Sequence, residues 1–96
     1  MGDNKKKVLV IPNIHPAGIE LLAARPDVEY QILESQTPAE ILNNVTDAHA
    51  IAVRTALING DVINAAPHLR VVARHGVGYD SVDVATLTKR SIPLAI

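Results

Sequence analysis

Apolar residues fall in short unbroken runs separated by polar, proline-bearing or glycine-bearing stretches, a pattern of strands buried on both faces rather than of long helices. Val8 to Ile11 form the first run, closed by Pro12 and Asn13, and predict a strand. A helix is expected from Pro16, with Ile19, Leu21, Leu22 and Ala23 as its apolar stripe and Pro26 as its end. Tyr30, Ile32 and Leu33 predict a second, partly alternating strand. Thr37-Pro38-Ala39-Glu40 then carries a helix start, with Thr37 as N-cap, Pro38 in the first helical position and Glu40 at capping-box spacing. That helix should run to about Asn44. Ala50 to Val53 predict a third strand with Arg54-Thr55 at its end, and Asn59-Gly60 turns the chain into a short helix from Asp61 to Ala66, closed by Pro67. Val71 to Arg74 predict a fourth strand, Val82 to Lys89 a helix, and Ile92 to Ile96 a fifth strand.

Strands alternating with helices at this spacing imply a parallel sheet with helices on both faces, because each crossover must be right-handed. The expected fold class is α/β, a flavodoxin-like doubly wound parallel sheet of about five strands in the order 2-1-3-4-5. The chain stops at Ile96 inside an apolar run with no polar tail, so the expectation is a sheet incomplete at its C-terminal end and a sequence cut from something longer.

The stretch from Arg70 to Asp83 organises the rest. Val71, Val72 and Ala73 lead into Gly76 and Gly78, which flank Val77 and let the backbone approach a ligand without a Cβ in the way. Asp80 and Ser81 are alternative N-caps for the following helix, and Asp83 places a carboxylate in its first turn. Strand, glycine turn and helix start together gather free backbone N–H groups and favour a bound anion.

Composition narrows the partners. The 96 residues suit one small domain, which buries roughly 60–65% of the surface its unfolded chain exposes. Nine Lys and Arg against ten Asp and Glu give a net charge of −1, which argues against nucleic acid or an anionic membrane as partner. Lys5-Lys6-Lys7 reads as a solvated lead into the first strand. The absence of cysteine removes thiolate and disulfide chemistry and fits a cytoplasmic location. No apolar run approaches the roughly 20 residues of a membrane helix.

In such a sheet ligands bind beyond the carboxyl ends of the strands. Three loops meet there: Asn13 to Pro16, Arg54-Thr55 and Gly76-Val77-Gly78. With neighbouring strands about 4.8 Å apart, the Arg54 guanidinium and the backbone N–H groups of Val77 and Gly78 could reach one small anion. Arginine grips a carboxylate through two parallel hydrogen bonds, so a small carboxylic acid suits the arrangement. Two other readings stand beside this one: Arg54 as a structural partner of Asp47 or Asp61, and the two glycines as a tight turn only. His15, His49, His68 and His75 show no metal-ligand spacing and read as surface or strand-end residues, so no metal site is expected. His75 adjoins the glycine turn, but without an orienting carboxylate in the pocket it is not assigned catalysis. Gly76-Val77-Gly78-Tyr79-Asp80-Ser81 begins like a dinucleotide fingerprint, yet Ser81 replaces its third glycine and no acidic residue follows the next strand.

At these residues the chain resembles the N-terminal segment of the substrate domain of the NAD-dependent D-2-hydroxyacid dehydrogenases, particularly the D-3-phosphoglycerate dehydrogenase branch. The resemblance runs from Val8 to Ile96 and is most specific over Val71 to Asp83, over Arg90-Ser91-Ile92-Pro93-Leu94 and over Ala52-Val53-Arg54-Thr55. It implies an oxidoreductase in which Arg54 and Thr55 line the substrate cleft and Gly76, Val77 and Gly78 form the turn that holds the substrate carboxylate. It also implies that NAD binds a separate Rossmann domain absent from this chain, which would supply the catalytic histidine, glutamate and carboxylate-binding arginine. No catalytic residue and no cofactor are therefore expected in the 96 residues, which should be inactive alone. The expected partner is a small 2-hydroxy or 2-keto carboxylic acid, and the longer protein is expected to be a homodimer or higher homo-oligomer.

The alternative is a stand-alone flavodoxin-like binding or interaction module without catalysis. A phosphate-receiver version would want paired acidic residues after the first strand and an aspartate ending the third. Pro12-Asn13 and Arg54 stand there instead.

Overall fold

The computed structural model describes residues 6–12, 20, 24–54, 56–74 and 82–95. A five-stranded sheet runs through them in the order β2-β1-β3-β4-β5, formed by β1 (Lys6–Val10), β2 (Val28–Ile32), β3 (Ala50–Val53), β4 (Val71–Arg74) and β5 (Leu94–Ala95). Every pairing is parallel. The order and class are those the apolar runs predict. Three helices are described: α1 (Pro38–Asn44), α2 (Gly60–Asn64) and α3 (Val84–Lys89). The helix expected between Pro16 and Pro26 lies largely outside the described residues, although Glu20 is helical and its carbonyl accepts from Ala24 N.

Alternation along the strands sorts side chains between the two faces of the sheet. Leu9, Ile11, Leu33, Ile51, Val53 and Val72 share one face and join Ile41 and Val45 of the α1 region, Val62 and Ile63 of α2 and Leu87 of α3 in one buried cluster. Val10 is also fully buried but lies outside that cluster, on the opposite face by its alternation with Leu9 and Ile11. Each fully buried aliphatic side chain contributes about 1.5–3 kcal/mol, an upper range since unfolded chains already bury some surface.

The strand boundaries differ from the apolar runs at both ends. β1 and β2 begin two residues earlier than expected, because Lys6↔Val28 and Lys7↔Glu29 extend the ladder past the apolar residues. Backbone pairing is indifferent to side-chain polarity at the exposed end of a strand. Ile11 and Leu33 keep ladder bonds just beyond the strand ends, Ile11 N donating to Ala52 O at 2.9 Å and Leu33 N to Val10 O at 3.0 Å. β5 is shorter than the predicted Ile92 to Ile96. Pro93 has no N–H to give a ladder, so pairing starts at Leu94 while Ile92 packs into the core, and Ile96 lies outside the described residues.

The helix starts are set by side-chain caps. Thr37 caps α1 with Pro38 behind it, as predicted, and its hydroxyl accepts from Glu40 N at 3.4 Å. The Glu40 carboxylate does not close the box on Thr37. It reaches past it to Glu34 N and the Ser35 hydroxyl, both at 2.8 Å, and so ties the connection from β2 to α1. Asn59 is an N-cap rather than half of a turn: its side chain accepts from Val62 N at 3.1 Å, and α2 begins at Gly60 and ends before Ala65.

Helix α3 starts later than predicted, at Val84, with Asp83 as its N-cap in place of Asp80 or Ser81, which lie outside the described residues. The reason is that Val82 is held extended in a bridge to Ile58, with Asp83 N donating to Ile58 O at 2.8 Å. Asp83 accepts from Thr86 N at 3.1 Å and from the Thr86 hydroxyl at 2.8 Å. A Cβ on Gly60 would stand 3.3 Å from Thr86 Oγ1 and 3.4 Å from Asp83 Oδ2, so this glycine permits the close approach of two helix starts.

The end of α3 holds a left-handed residue, Ser91, at φ 57°. Ile92 N donates back to Leu87 O at 2.9 Å, and the Arg90 guanidinium donates to the carbonyls of Ile63 and Pro67, binding α3 to the end of α2. Glycine takes this conformation without the Cβ penalty, so Ser91→Gly is expected to raise stability by about 1 kcal/mol, read as a higher urea midpoint at unchanged slope.

Candidate functional site

Two ties join the described residues that flank Arg54-Thr55 and the glycine turn. At the near end, Val53 of β3 is in register with Arg74 of β4, so both strands leave the sheet at the same carboxyl edge. At the far end, the Ile58–Val82 bridge joins the continuations of the same two strands. Arg54 is the first residue beyond β3, and Gly76 follows two residues after the end of β4. The Ile58–Val82 tie is not among the features predicted from the sequence. The sequence carries it only as the short apolar run Ala56-Leu57-Ile58; which of the three are buried, Ala56 and Ile58 but not Leu57, shows only in the structure.

Arg54 is exposed at this edge, and among the described residues its side chain takes part in no ion pair or hydrogen bond. Neither alternative partner holds it. Asp47 sits before β3, at the amino edge, and binds Lys7 Nζ at 2.9 Å. Asp61 lies exposed in the first turn of α2. Thr55, Gly76, Val77 and Gly78, like His15 and His75, lie outside the described residues. His49 and His68 are at the opposite edge of the sheet, with ring centroids 6.1 Å apart. Among the described residues no group of three or more His, Asp or Glu could hold a metal ion.

Asp83 caps α3 directly after the bridge of Val82 to Ile58. Hydrogen bonds from the Thr86 backbone, then from its hydroxyl, hold the Asp83 carboxyl below the usual range. The folded form is therefore favoured above that range, and the contribution is lost as pH falls through the depressed value. Asp47, held down by its bond to Lys7, and Glu40, held down by Ser35 and Glu34, act in the same direction. Melting temperature is thus expected to fall below about pH 4. Asp83→Asn keeps an acceptor for Thr86 N and should flatten part of that slope; an unaltered slope would show that Asp83 does not contribute to it.

The same carboxylate bears on nucleotide binding. A dinucleotide pyrophosphate needs free N–H groups at a helix start, and Asp83 already fills the start of α3 with a negative charge. The described start of α3 therefore does not fit a dinucleotide pyrophosphate, and residues 75–81 before it lie outside the described residues.

The family model for the D-isomer specific 2-hydroxyacid dehydrogenase catalytic domain matches residues 8–95. The chain belongs to this family. Among its relatives, a glyoxylate reductase of Thermococcus gammatolerans is 39% identical over 90 residues, which are 92% of this chain and 27% of the relative. A D-3-phosphoglycerate dehydrogenase of Sus scrofa is 36% identical over 93% of the chain and 17% of its own length. The crystal structure of an NADPH-dependent glyoxylate/hydroxypyruvate reductase from Sinorhizobium meliloti in complex with citrate superposes with a TM-score of 0.79 at 31% identity, covering 94% of this chain and 28% of that one. The chain spans about a quarter or less of the length of these relatives.

Proposed function

We propose that this chain forms the substrate-carboxylate-binding part of a nicotinamide-dependent 2-hydroxyacid dehydrogenase and carries out no turnover by itself. The observation that supports this most is the register of Val53 with Arg74. It sets Arg54, unpaired among the described residues, beside the strand that leads to Gly76-Val77-Gly78, at the edge where sheets of this class take ligands.

In this reading Arg54 donates two parallel hydrogen bonds to the carboxylate of a small 2-hydroxy or 2-keto acid. The Val77 and Gly78 backbone amides donate to the remaining oxygen or the adjacent carbonyl, and Thr55 and Gly76 line the same cleft. The related reductase of Sinorhizobium meliloti was crystallised with citrate and with malonate, both carboxylates, which supports a carboxylate as ligand. The cofactor and the groups that move the hydride and proton belong to a part of the longer protein outside these residues, the cofactor being NAD in the branch resembled. No catalytic residue is assigned within this chain.

The test uses a protein that contains this chain together with its cofactor-binding part. A 2-keto acid and its carboxamide differ only in the group Arg54 would hold, and a hydrogen bond to a charged group contributes about 1.5–3 kcal/mol. The carboxamide should fall about ten- to hundredfold in kcat/KM. Equal kcat/KM for the two would remove carboxylate recognition from this edge.

A further inference from the structure

We propose that His49 is a pH-sensitive latch on the amino edge of the sheet, closed while its ring is neutral and opened when the ring is protonated. His49 stands one residue before β3 and joins three strands where they begin. Its backbone N–H donates to Lys7 O at 2.9 Å, its carbonyl accepts from Arg70 N at 2.7 Å, and its ring Nδ1 accepts the backbone N–H of Lys7 at 2.9 Å. Lys7 lies in β1, and Arg70 immediately precedes β4.

The ring bond fixes the chemistry of the imidazole. An N–H donor aimed at Nδ1 requires a lone pair there, so the ring is neutral with its proton on Nε2. Protonation puts a second N–H opposite the first, two donors then face each other, and the Lys7 amide must turn to water. The same bond disfavours a metal-ligand role, because the Nδ1 lone pair that could ligate is taken by the Lys7 amide while Nε2 carries the proton.

Most of the surroundings act in the same sense, with Asp47 opposing them. Among the described residues the charged or titratable groups around the ring are Lys6 and Lys7 of β1, Asp47 of its own turn, and His68 and Arg70 of the stretch leading into β4. Asp47, the carboxylate among them, is already bound to Lys7 Nζ at 2.9 Å. Partial burial first, and then the nearby Lys6, Arg70 and His68, hold the His49 ring below the ordinary histidine range. The latch therefore stays shut at neutral pH and opens in mild acid. Opening loosens the start of β1, which carries the pairings Lys6↔Val28 and Lys7↔Glu29 to β2, at the end of the sheet away from Arg54.

Amide hydrogen exchange followed by NMR, corrected for intrinsic rates, tests this on the chain itself. Between about pH 7.5 and about pH 5 the Lys7 amide should lose about tenfold in protection, the worth of one hydrogen bond, while Ile51 and Val72 in the middle of β3 and β4 stay protected. The ring nitrogens at the higher pH should report a bare Nδ1 and a protonated Nε2. In His49→Phe the Lys7 amide should exchange freely at both pH values. Lys7 protection that does not change with pH, a proton on Nδ1 at neutral pH, or a loss shared equally by Ile51 would each overturn the latch; the wild-type titration suffices if the variant does not fold.

Discussion

Replacing Arg54 by alanine, in a dehydrogenase that contains this chain, is expected to raise KM for the 2-keto acid about ten- to hundredfold while kcat falls much less. Arg54 leaves β3 at the carboxyl edge, is exposed, and takes no ion pair among the described residues, so its removal should cost the fold little. A clamp on a carboxylate that does not react binds ground state and transition state alike, and loss of such uniform binding appears in KM. Arg54→Lys keeps the charge but not the planar fork, and should recover only part of the loss. Steady-state kinetics of the three proteins separate the cases. An unchanged KM with a collapsed kcat would place Arg54 in the chemical step instead.

The largest effect on stability is expected at Ile51. It is fully buried in β3, the central strand, in register with Leu9 on one side and Val72 on the other, both also fully buried. Ile51→Ala removes the methylene and methyl groups from the middle of the cluster and leaves a space that β-strand backbones on both sides cannot close. The expected loss is about 2–5 kcal/mol, a large share of the roughly 5–15 kcal/mol that holds a domain folded. Leu57→Ala is the control. Leu57 is 55% exposed in the loop after β3, and its truncation should change stability by less than about 0.5 kcal/mol. Urea unfolding of both variants gives the comparison, and equal losses would mean that the buried cluster is not where the stability resides.

How far the chain could be read without coordinates follows from what side chains report. The strand order, α1 and the limits of β3 and β4 were legible because each rests on a short apolar run or on Thr37-Pro38 at a helix start. The first residues of β1 and β2 were not, since Lys6 and Glu29 pair through their backbones while their side chains stay in water. Asp83 was placed in the first turn of α3 rather than at its cap because the bridge that delays the helix, Ile58 against Val82, joins residues far apart in sequence. Of the candidate site, the shared edge was legible from the alternation of strands and helices alone. The pairing of Asp47 with Lys7, which takes that carboxylate away from Arg54, needed the three-dimensional register.

The central claim is that the 96 residues hold substrate and that hydride transfer needs the remainder of the protein. The measurement that bears on it most directly is consumption of NADH or NADPH with a panel of 2-keto acids, run on the purified chain and on a longer protein that contains it. Turnover by the longer protein, sensitive to Arg54→Ala, and none by the chain alone is the expected result. Reduction of a 2-keto acid by the chain alone would contradict it and would require both a nicotinamide site and a proton donor within these residues.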